Sequence, residues 1–315
     1  MRNGAPGALY SLAVSLHAVT PLSIEAESKA ARGYRLTERG QPTVKKPSSI
    51  ELDGGVSVRD ALRTIVGEIL SHLLSNKSAA LAGDAEGIHQ VRVAIRRLRS
   101  ALRLFGPRLE YHAAAAFQSK LQRVGRIIGA ARDWDVFCLE ALPKAFTEIE
   151  EFGWNRLLRE AADARRRDAD ATSASEINGA PFTALVLGLS AWIETGDEHM
   201  DLLGNKELKE PFSETSAVLL DRIADRVDKR GRGIGPETST EELHPLRRSL
   251  KKLRYSIEFL SSLYPQKATK RYLRPIKKLQ KTLGIINDGV AALRLAEQLA
   301  QERIDLTIAA TDVTP

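Results

Sequence analysis

The sequence predicts an all-α protein built from two similar helical bundles, with a short α/β segment at its N-terminal end. Three observations support this fold class. Apolar residues recur at spacings of three and four from residue 56 onward, which is the helical period. No convincing alternating strand follows residue 55. A basic motif occurs twice with a constant offset, which indicates an internal duplication.

Residues 1–50 differ in pattern from the rest of the chain. An apolar segment at 8–19 precedes an alternating stretch at 22–36 and a Pro/Lys/Ser-rich linker at 41–49. Alternation of apolar and polar residues is typical of a strand, and it is the reason for expecting an α/β segment here. The helical period is expected to begin at residue 56, and the domain that contains it at residue 51.

Amphipathic helices are expected along the remainder of the chain. In the first of them, Leu62, Ile65, Val66 and Ile69 recur at the spacing that places them on one face. This face would pack into a core. The predicted helices are 58–74, 87–105, 113–128, 135–146, 155–167, 182–193, 212–230, 242–263, 272–283 and 290–303.

Glycine and proline mark the expected breaks between these helices. The Ser/Gly/Ala-rich stretch 171–181 is the best candidate for the connection between the two halves. The other expected breaks are Gly106-Pro107, Gly129, Gly153, 231–236 and Gly284.

Two basic motifs carry the evidence for duplication. The motif His89-x-x-Arg92-x-x-x-Arg96-Arg97-x-Arg99 aligns with His244-x-x-Arg247-x-x-x-Lys251-Lys252-x-Arg254 at an offset of 155 residues. The same offset pairs Gly129 with Gly284 and Asp133 with Asp288, and it relates helix 58–74 to 213–229. One offset maintained over so much sequence predicts a first repeat at about 55–180 and a second at about 181–305.

Each repeat places its basic residues on one face of a helix. At about 100° per residue, the first basic stripe comprises His89, Arg92, Arg96, Arg99 and Arg103. Val91, Ile95, Leu98, Leu102 and Phe105 lie opposite and predict a buried seam. The second basic stripe comprises His244, Arg247, Lys251 and Arg254, with Glu258 in the place of Arg103. Its seam is Leu246, Leu250, Leu253, Ile257 and Leu260.

The basic stripes lack the acidic residues that a merely soluble helix would interleave. Gln266 to Lys281 adds seven more basic residues without an acid. Like charges on a helix repel by a few tenths of a kcal/mol per pair, so such stripes are expected to meet an anion or buried carboxylates. The alternatives are a solvated face, or internal pairing with Asp133, Asp135 or Asp288. Asp133 and Asp288 are therefore interpreted as helix caps or arginine partners rather than catalytic groups.

The composition of the chain limits the classes of molecule that it is expected to bind. The formal charge of +7 and the pI near 9.5 favour nucleic acid, acidic lipid or a phosphate polymer. Aromatic residues make up only 5% of the chain, which argues against a stacking platform for single-stranded nucleic acid. No apolar run approaches the roughly 18 residues of a membrane span.

The titratable residues argue against a metal site. The single cysteine, Cys138, excludes an internal disulfide and a cysteine-based zinc site, and it fits a reducing cytoplasm. The six histidines show no metal-ligand spacing. His89 and His244 open the two stripes, where an imidazole can gain a proton when phosphate arrives. The alternative is a helix-start histidine that is hydrogen-bonded to the backbone.

The paired motifs, together with the segments 121–136 and 279–292 that follow them, resemble the CHAD family over about residues 55–305. The resemblance implies a CHAD domain at 51–315: two pseudo-symmetric helical bundles with a basic cavity or groove between them that binds inorganic polyphosphate without a cofactor. Carried over residue by residue, the contacts would be His89, Arg92, Arg96, Arg99, His244, Arg247, Lys251 and Arg254. Assisting or neighbouring cations would be Arg97, Arg103, Arg123, Arg126, Lys252, Lys277, Lys278 and Lys281.

The N-terminal segment carries a second resemblance. Ser28-Lys29-Ala-Ala-Arg32-Gly33-Tyr34 is similar to the end of a CYTH domain, and Glu25-Ala-Glu27-Ser-Lys29 matches the Glu-x-Glu-x-Lys pattern of the related triphosphate tunnel enzymes. In those enzymes, glutamates hold Mg²⁺ and basic residues hold triphosphate. A barrel of about eight strands is too large for fifty residues. Residues 1–50 are therefore interpreted as a truncated CYTH-like remnant and linker.

Three functions remain open at this stage. Binding of inorganic polyphosphate without catalysis leads, with a location in the cytoplasm, including its polyphosphate granules, and no membrane partner. A Mg²⁺-dependent triphosphatase would use Glu25, Glu27, Lys29 and Arg32. A nucleic-acid-binding or scaffold protein is the third. Dense stripes suit a phosphate string better than base edges, which are read by singly presented side chains, so nucleic acid is the less favoured partner. The oligomeric state is left open.

Overall fold

The computed structural model describes residues 6–37, 42–106, 111–147, 154–194 and 211–311, and within these ranges it is helical without a strand. The all-α prediction is confirmed. The only sheet-like pairing described is an isolated antiparallel bridge between Ser57 and Pro211. The helices are α1 (Pro6–Val19), α2 (Lys29–Thr37), α3 (Val58–Ser75), α4 (Lys77–Leu81), α5 (Ala85–Phe105), α6 (Tyr111–Val136), a π-helical turn (Phe137–Ala141), α7 (Leu142–Thr147), α8 (Trp154–Asn178), α9 (Ala180–Glu194), α10 (Phe212–Gly231), α11 (Thr240–Phe259), a 3₁₀ turn (Ser261–Leu263) and α12 (Gln266–Thr311).

Side-chain caps set the start of the helices that carry the basic stripes. The Asp84 carboxylate accepts a hydrogen bond from the Gly87 backbone N–H at 2.6 Å, which begins α5. Ser239 and Glu242 form a reciprocal capping box at the start of α11. Each cap satisfies backbone donors that the first helical turn leaves unpaired. The residue at which each basic helix begins is therefore determined by the local sequence.

Two glycines allow the sharp connection from α4 into α5. Gly83 adopts φ = 75°, a left-handed conformation that side chains disfavour. A Cβ at Gly87 would lie 2.7 Å from the Cβ of Ala79, so any larger residue would force α5 away from α4. The two glycines therefore let the start of α5, where the first basic stripe begins, pack closely against α4.

The two halves pack into a common core. In the first half, α3, α5 and α6 correspond to α10, α11 and α12 in the second. The first predicted seam is confirmed, because all five of its side chains are at most 1% exposed. The main core also includes Phe212, Tyr255 and Phe259 from the second half, and Phe105 stacks on Phe212 with ring centroids 5.0 Å apart. Joining the halves in one core fixes α5 against α11.

Each half also contributes apolar residues outside the main core. The second half has a small cluster of its own around Leu246, Leu250 and Leu283. A further cluster joins Trp134 and Phe137 to Leu295 and Leu299 of α12. The two predicted bundles are therefore joined by shared apolar packing as well as by the main core.

The strand expected in the N-terminal segment is wrong for the described residues. Residues 6–19 and 29–37 form α1 and α2, and 20–28 connect them without pairing as a strand. The Lys77 ammonium tethers this connection, donating hydrogen bonds to the Ser23 hydroxyl at 2.6 Å and the Ile24 carbonyl at 3.0 Å. Strand structure needs a pairing partner, and none of the described elements supplies one.

Several expected helix breaks also lie inside helices. Gly129 is within α6, Gly284 is within α12, and α8 continues through the proposed connection as far as Asn178. A glycine costs a helix only about 1 kcal/mol, which tertiary packing can offset. The break at 231–236 is confirmed by the end of α10 at Gly231. Gly153 lies outside the described residues.

Candidate anion-binding site

Helices α5 and α11 bring the two basic stripes together. The Arg96 Nε donates a hydrogen bond to the Tyr255 hydroxyl at 2.7 Å, across the two halves. The guanidinium groups of Arg96 and Arg254 lie 5.6 and 5.8 Å from the centroid of the Tyr255 ring. Tyr255 is 4% exposed, so its position is set by the core. It therefore holds one arginine from each stripe by hydrogen bonding and cation–π contact.

An inner cavity lies between α5, α6, α11 and α12. Its volume is about 300 Å³, and nitrogen-bearing side chains from both halves form most of its wall. Only two acids, Asp133 and Asp288, share the lining. The basic lining residues are His89, Arg92, Arg96, Arg132, Arg247, Lys251, Arg254, Lys277 and Lys281.

An outer cavity adjoins the inner one. Its volume is about 690 Å³, and Arg92, Arg96, Arg247 and Lys251 line both. Because the same four side chains line both cavities, the two adjoin, and together they are called the basic passage. The outer cavity also contains Arg99, Arg103, Arg230, His244, Arg248 and Lys252.

Lys251 shows how strongly positive the passage is. Burial, followed by the nearby charges of Arg96, Arg247 and Arg92, lowers the pKa of Lys251 to about 6, although Asp288 opposes the shift. Most Lys251 amines are therefore uncharged at neutral pH. An anion in the cavity would offset the arginine charges and raise this pKa.

The two stripe histidines share this environment. Burial and then Arg132 lower the pKa of His89, and burial and then Arg248 lower that of His244. The Nδ1 of His89 and the Nε of Arg247 are buried, and neither has a hydrogen-bond partner among the described residues. Unpaired buried donors and acceptors cost about 1–3 kcal/mol each, so they favour a polar ligand in the inner cavity.

The acids of the cavity neutralise only part of its charge. Asp133 lies 3.8 Å from Arg92 and 3.9 Å from Arg294, and Asp288 lies 3.9 Å from Arg247. Burial raises the pKa of Asp133 even though Arg92 opposes the shift. These separations exceed hydrogen-bond length, so the arginine donors stay available. Asp133 and Asp288 are thus arginine partners, and since both lie inside helices, the alternative of helix caps is wrong.

The family of the chain follows from a match between its sequence and a family model. The family model of the CHAD domain matches residues 64–297, which is most of the chain. The chain belongs to the CHAD family. The structure is similar to the crystal structure of the CHAD domain from the plant Ricinus communis, with a TM-score of 0.73 and 29% identity over 85% of this chain and 88% of that chain.

A second solved structure shares the CHAD fold of this chain. PptA from Streptomyces chartreusis superposes with a TM-score of 0.59 and 15% identity, covering 78% of this chain and 87% of that chain. No curated protein matches the chain at a significant level. The region matched by the CHAD model does not include residues 1–50, and the resemblance of that segment to CYTH stays a prediction.

Four predicted site residues of this CHAD domain line neither the inner nor the outer cavity. Arg97 is 5% exposed and packs over the Phe259 ring at 5.5 Å, because it points from α5 into the core. Lys278 is exposed. Arg123 and Arg126 line a third, more open cavity of about 1020 Å³, which shares Arg99, Arg103 and Arg248 with the outer cavity. In this cavity Arg123 binds the Glu176 carboxylate through two hydrogen bonds of 2.8 and 2.5 Å.

Several lining residues of the CHAD passage were missed in the sequence. Arg132, Arg230 and Arg248 contribute guanidinium groups to its walls. The offset of 155 residues pairs Arg132 with Asn287, and both residues line the inner cavity. A comparison of the two repeats could therefore have identified Arg132. Gly129 also lies beside this wall, where a Cβ would make an ordinary van der Waals contact of 3.5 Å with the Arg92 Nε.

The N-terminal motif takes no part in this site. Glu25 and Glu27 lie in the connection before α2, whereas Lys29 and Arg32 belong to α2. None of the four lines the inner or outer cavity. Within the described ranges there is no group of three or more His, Cys, Asp or Glu side chains that could hold a metal ion. No described helix is both long and apolar enough to cross a bilayer.

Proposed function

We propose that this CHAD domain binds inorganic polyphosphate in the passage formed by the inner and outer cavities, as a binding module rather than an enzyme. The observation that carries the proposal is the shared wall of Arg92, Arg96, Arg247 and Lys251, which draws two basic side chains from each half. A polyphosphate chain presents one negative charge per phosphate along a thin, unbranched backbone. It matches a passage whose basic side chains come from both halves. The CHAD family is itself associated with polyphosphate.

The passage suits this polymer better than it suits nucleic acid. Guanidinium groups bind phosphate oxygens through paired, charge-assisted hydrogen bonds. Binding sites for single-stranded nucleic acid add aromatic faces on which bases stack, but the only Phe, Tyr or Trp side chain in the lining of either cavity is Phe137. The proposed setting is the cytoplasm, at polyphosphate granules. The triphosphatase alternative gains no support from the placement of Glu25 and Glu27.

A titration of polyphosphate of defined length against salt tests this function. Binding should release the counterions of each contacted phosphate, so the logarithm of the affinity should fall linearly with the logarithm of the salt concentration. With six or more contacts, the affinity should fall on the order of a thousandfold between 0.05 and 0.2 M salt. Polyphosphate should also displace double-stranded DNA at physiological salt. Equal affinity for the two polymers, or binding that ignores salt, would contradict the proposal.

Replacing Tyr255 with phenylalanine tests whether its hydroxyl positions Arg96 for polyphosphate binding. The substitution keeps the ring beneath Arg96 and Arg254 but removes the hydroxyl that accepts from Arg96 at 2.7 Å. We expect the polyphosphate affinity to fall by roughly tenfold, because a hydrogen bond to a charged group contributes about 1.5 kcal/mol and about 1.4 kcal/mol corresponds to a factor of ten. Calorimetric titration measures the change.

Tyr264→Phe is the matched control for this prediction. It removes a hydroxyl that is hydrogen-bonded to the Ser216 hydroxyl at 2.7 Å, away from both cavities. The control should lower thermal stability without changing affinity. If the two variants lose affinity equally, Tyr255 has no specific part in placing Arg96.

A further inference from the structure

One face of α12 carries large apolar side chains at intervals of seven residues. Its members are Tyr272, Leu279, Ile286 and Leu293. They are exposed to solvent, Tyr272 by 68% and Leu293 by 62%. Seven residues complete two helical turns to within about 20°, so these side chains share one face. Lys277 and Lys281, which line the inner cavity, lie on the opposite side of the helix. The apolar face is therefore separate from the proposed polyphosphate site.

Small or uncharged residues alternate with the large ones along this face. They stand three positions after each large residue and are Pro275, Thr282, Gly289 and Ala296. The two sets correspond to the a and d positions of a heptad, the pattern by which helices pair side by side. In a parallel pair of identical helices, large residues would meet large ones. In an antiparallel pair, each a position meets a d position.

We propose that this face of α12 binds the same face of a second copy of the chain, with the two helices antiparallel. A twofold axis at the level of Gly284 brings every large side chain against a small residue of the other copy. The pairs between exposed residues are Leu279 with Gly289, Ile286 with Thr282, and Leu293 with Pro275. Tyr272 lies opposite Ala296, which is partly buried beside the apolar cluster that includes Leu295 and Leu299. One register thus satisfies all three exposed pairs. Such an isologous interface closes after two copies.

The charges along α12 favour the same orientation. Its N-terminal part, Gln266 to Lys281, has seven basic residues and no acid. Asp288, Glu297 and Glu302 all belong to the part that follows. An antiparallel arrangement places each basic part opposite the acid-bearing part of the other copy. A parallel arrangement would align the two basic parts, and like charges placed together oppose association.

The mass of the full-length protein in solution, measured by sedimentation equilibrium, tests the dimer. Wild type should have twice the chain mass of 34.6 kDa at micromolar concentration. Gly289→Leu should halve the mass. A Cβ at Gly289 meets nothing within 4 Å in the protomer, so the variant should fold, but its side chain would collide with Leu279 of the other copy. Combining Gly289→Leu with Leu279→Ala exchanges large for small in each pair and should restore the dimer.

Gly284→Leu is the control on the same helix. A Cβ there also meets nothing within 4 Å, but it points away from the apolar face, so the dimer should persist. Far-UV circular dichroism verifies that each variant keeps its helices. A monomeric wild type would overturn the proposal. So would a dimeric Gly289→Leu variant, a control variant that dissociates while remaining folded, or a double variant that stays monomeric.

Discussion

Replacing Arg92 and Arg96 together with glutamate should reduce the affinity for polyphosphate by at least about a thousandfold. Both side chains line the inner and the outer cavity, so each can contact the polymer in either one. A hydrogen bond to a charged group contributes about 1.5–3 kcal/mol, and each tenfold in affinity corresponds to about 1.4 kcal/mol. Two such contacts would be lost, and two repulsive charges would face the phosphates. Titration with polyphosphate of defined length measures the loss.

The control for this double reversal changes the net charge equally at a distance from the passage. Arg156 and Arg167 are exposed on α8 and line neither cavity. Replacing both with glutamate should lower the affinity less than about tenfold, through the long-range field alone. Thermal melting and circular dichroism should show that both double variants are folded. If the two variants lose the same affinity, the overall charge and not the passage accounts for binding.

Polyphosphate binding should weaken as the pH rises above about 6, and Lys251 should be the main cause. Burial and the neighbouring arginines lower the pKa of Lys251 to about 6 in the empty cavity. The polyanion raises this pKa, so between the two values binding takes up a proton. Linkage then requires the affinity to fall by up to about tenfold per pH unit in that interval. Below the pKa of the empty cavity, Lys251 is already charged and adds no further pH dependence.

Calorimetry in buffers of different ionisation enthalpy measures the protons taken up. Wild type should take up about one proton per bound site in this interval, with His89 and His244 adding to it at more acidic pH, where their lowered pKa values lie. Lys251→Met should lose most of the uptake at neutral pH. Lys278→Met removes an exposed lysine outside both cavities and should retain it. Unchanged uptake in Lys251→Met would show that another group carries the proton.

The basic stripes illustrate how far pattern alone leads to the site. Positions at helical spacing had to share a face, so His89, Arg92, Arg96, Arg247 and Lys251 could be grouped before any coordinates were known. The same reasoning placed the apolar seam of α5 in the core. Arg97 and Arg123 show its limit. Both belong to basic segments, but the side chain of Arg97 reaches Phe259 and that of Arg123 reaches Glu176, which are distant in sequence.

Glycine positions were interpreted less well than the stripes. Gly129 and Gly284 were expected to end helices, because glycine weakens an isolated helix. In the folded protein, the packing of α6 and α12 outweighs that cost. Gly129 instead lies beside Arg92, in a contact between helices that depends on the fold. The prediction of a strand near the N terminus is wrong for a related reason, because a short alternating stretch forms a strand only where a partner strand exists.

Residue order alone determines the helical period, the duplication, the identity of the two stripes and the excess of positive charge. Each of these depends only on which residues occur at which positions along the chain. How the charges combine depends on the fold. Contact between α5 and α11 turned two separate stripes into one passage, buried Lys251 among arginines and placed Asp133 and Asp288 beside them. Desolvation and Coulomb interactions depend on distances through space, and only the packing of the two halves sets those distances.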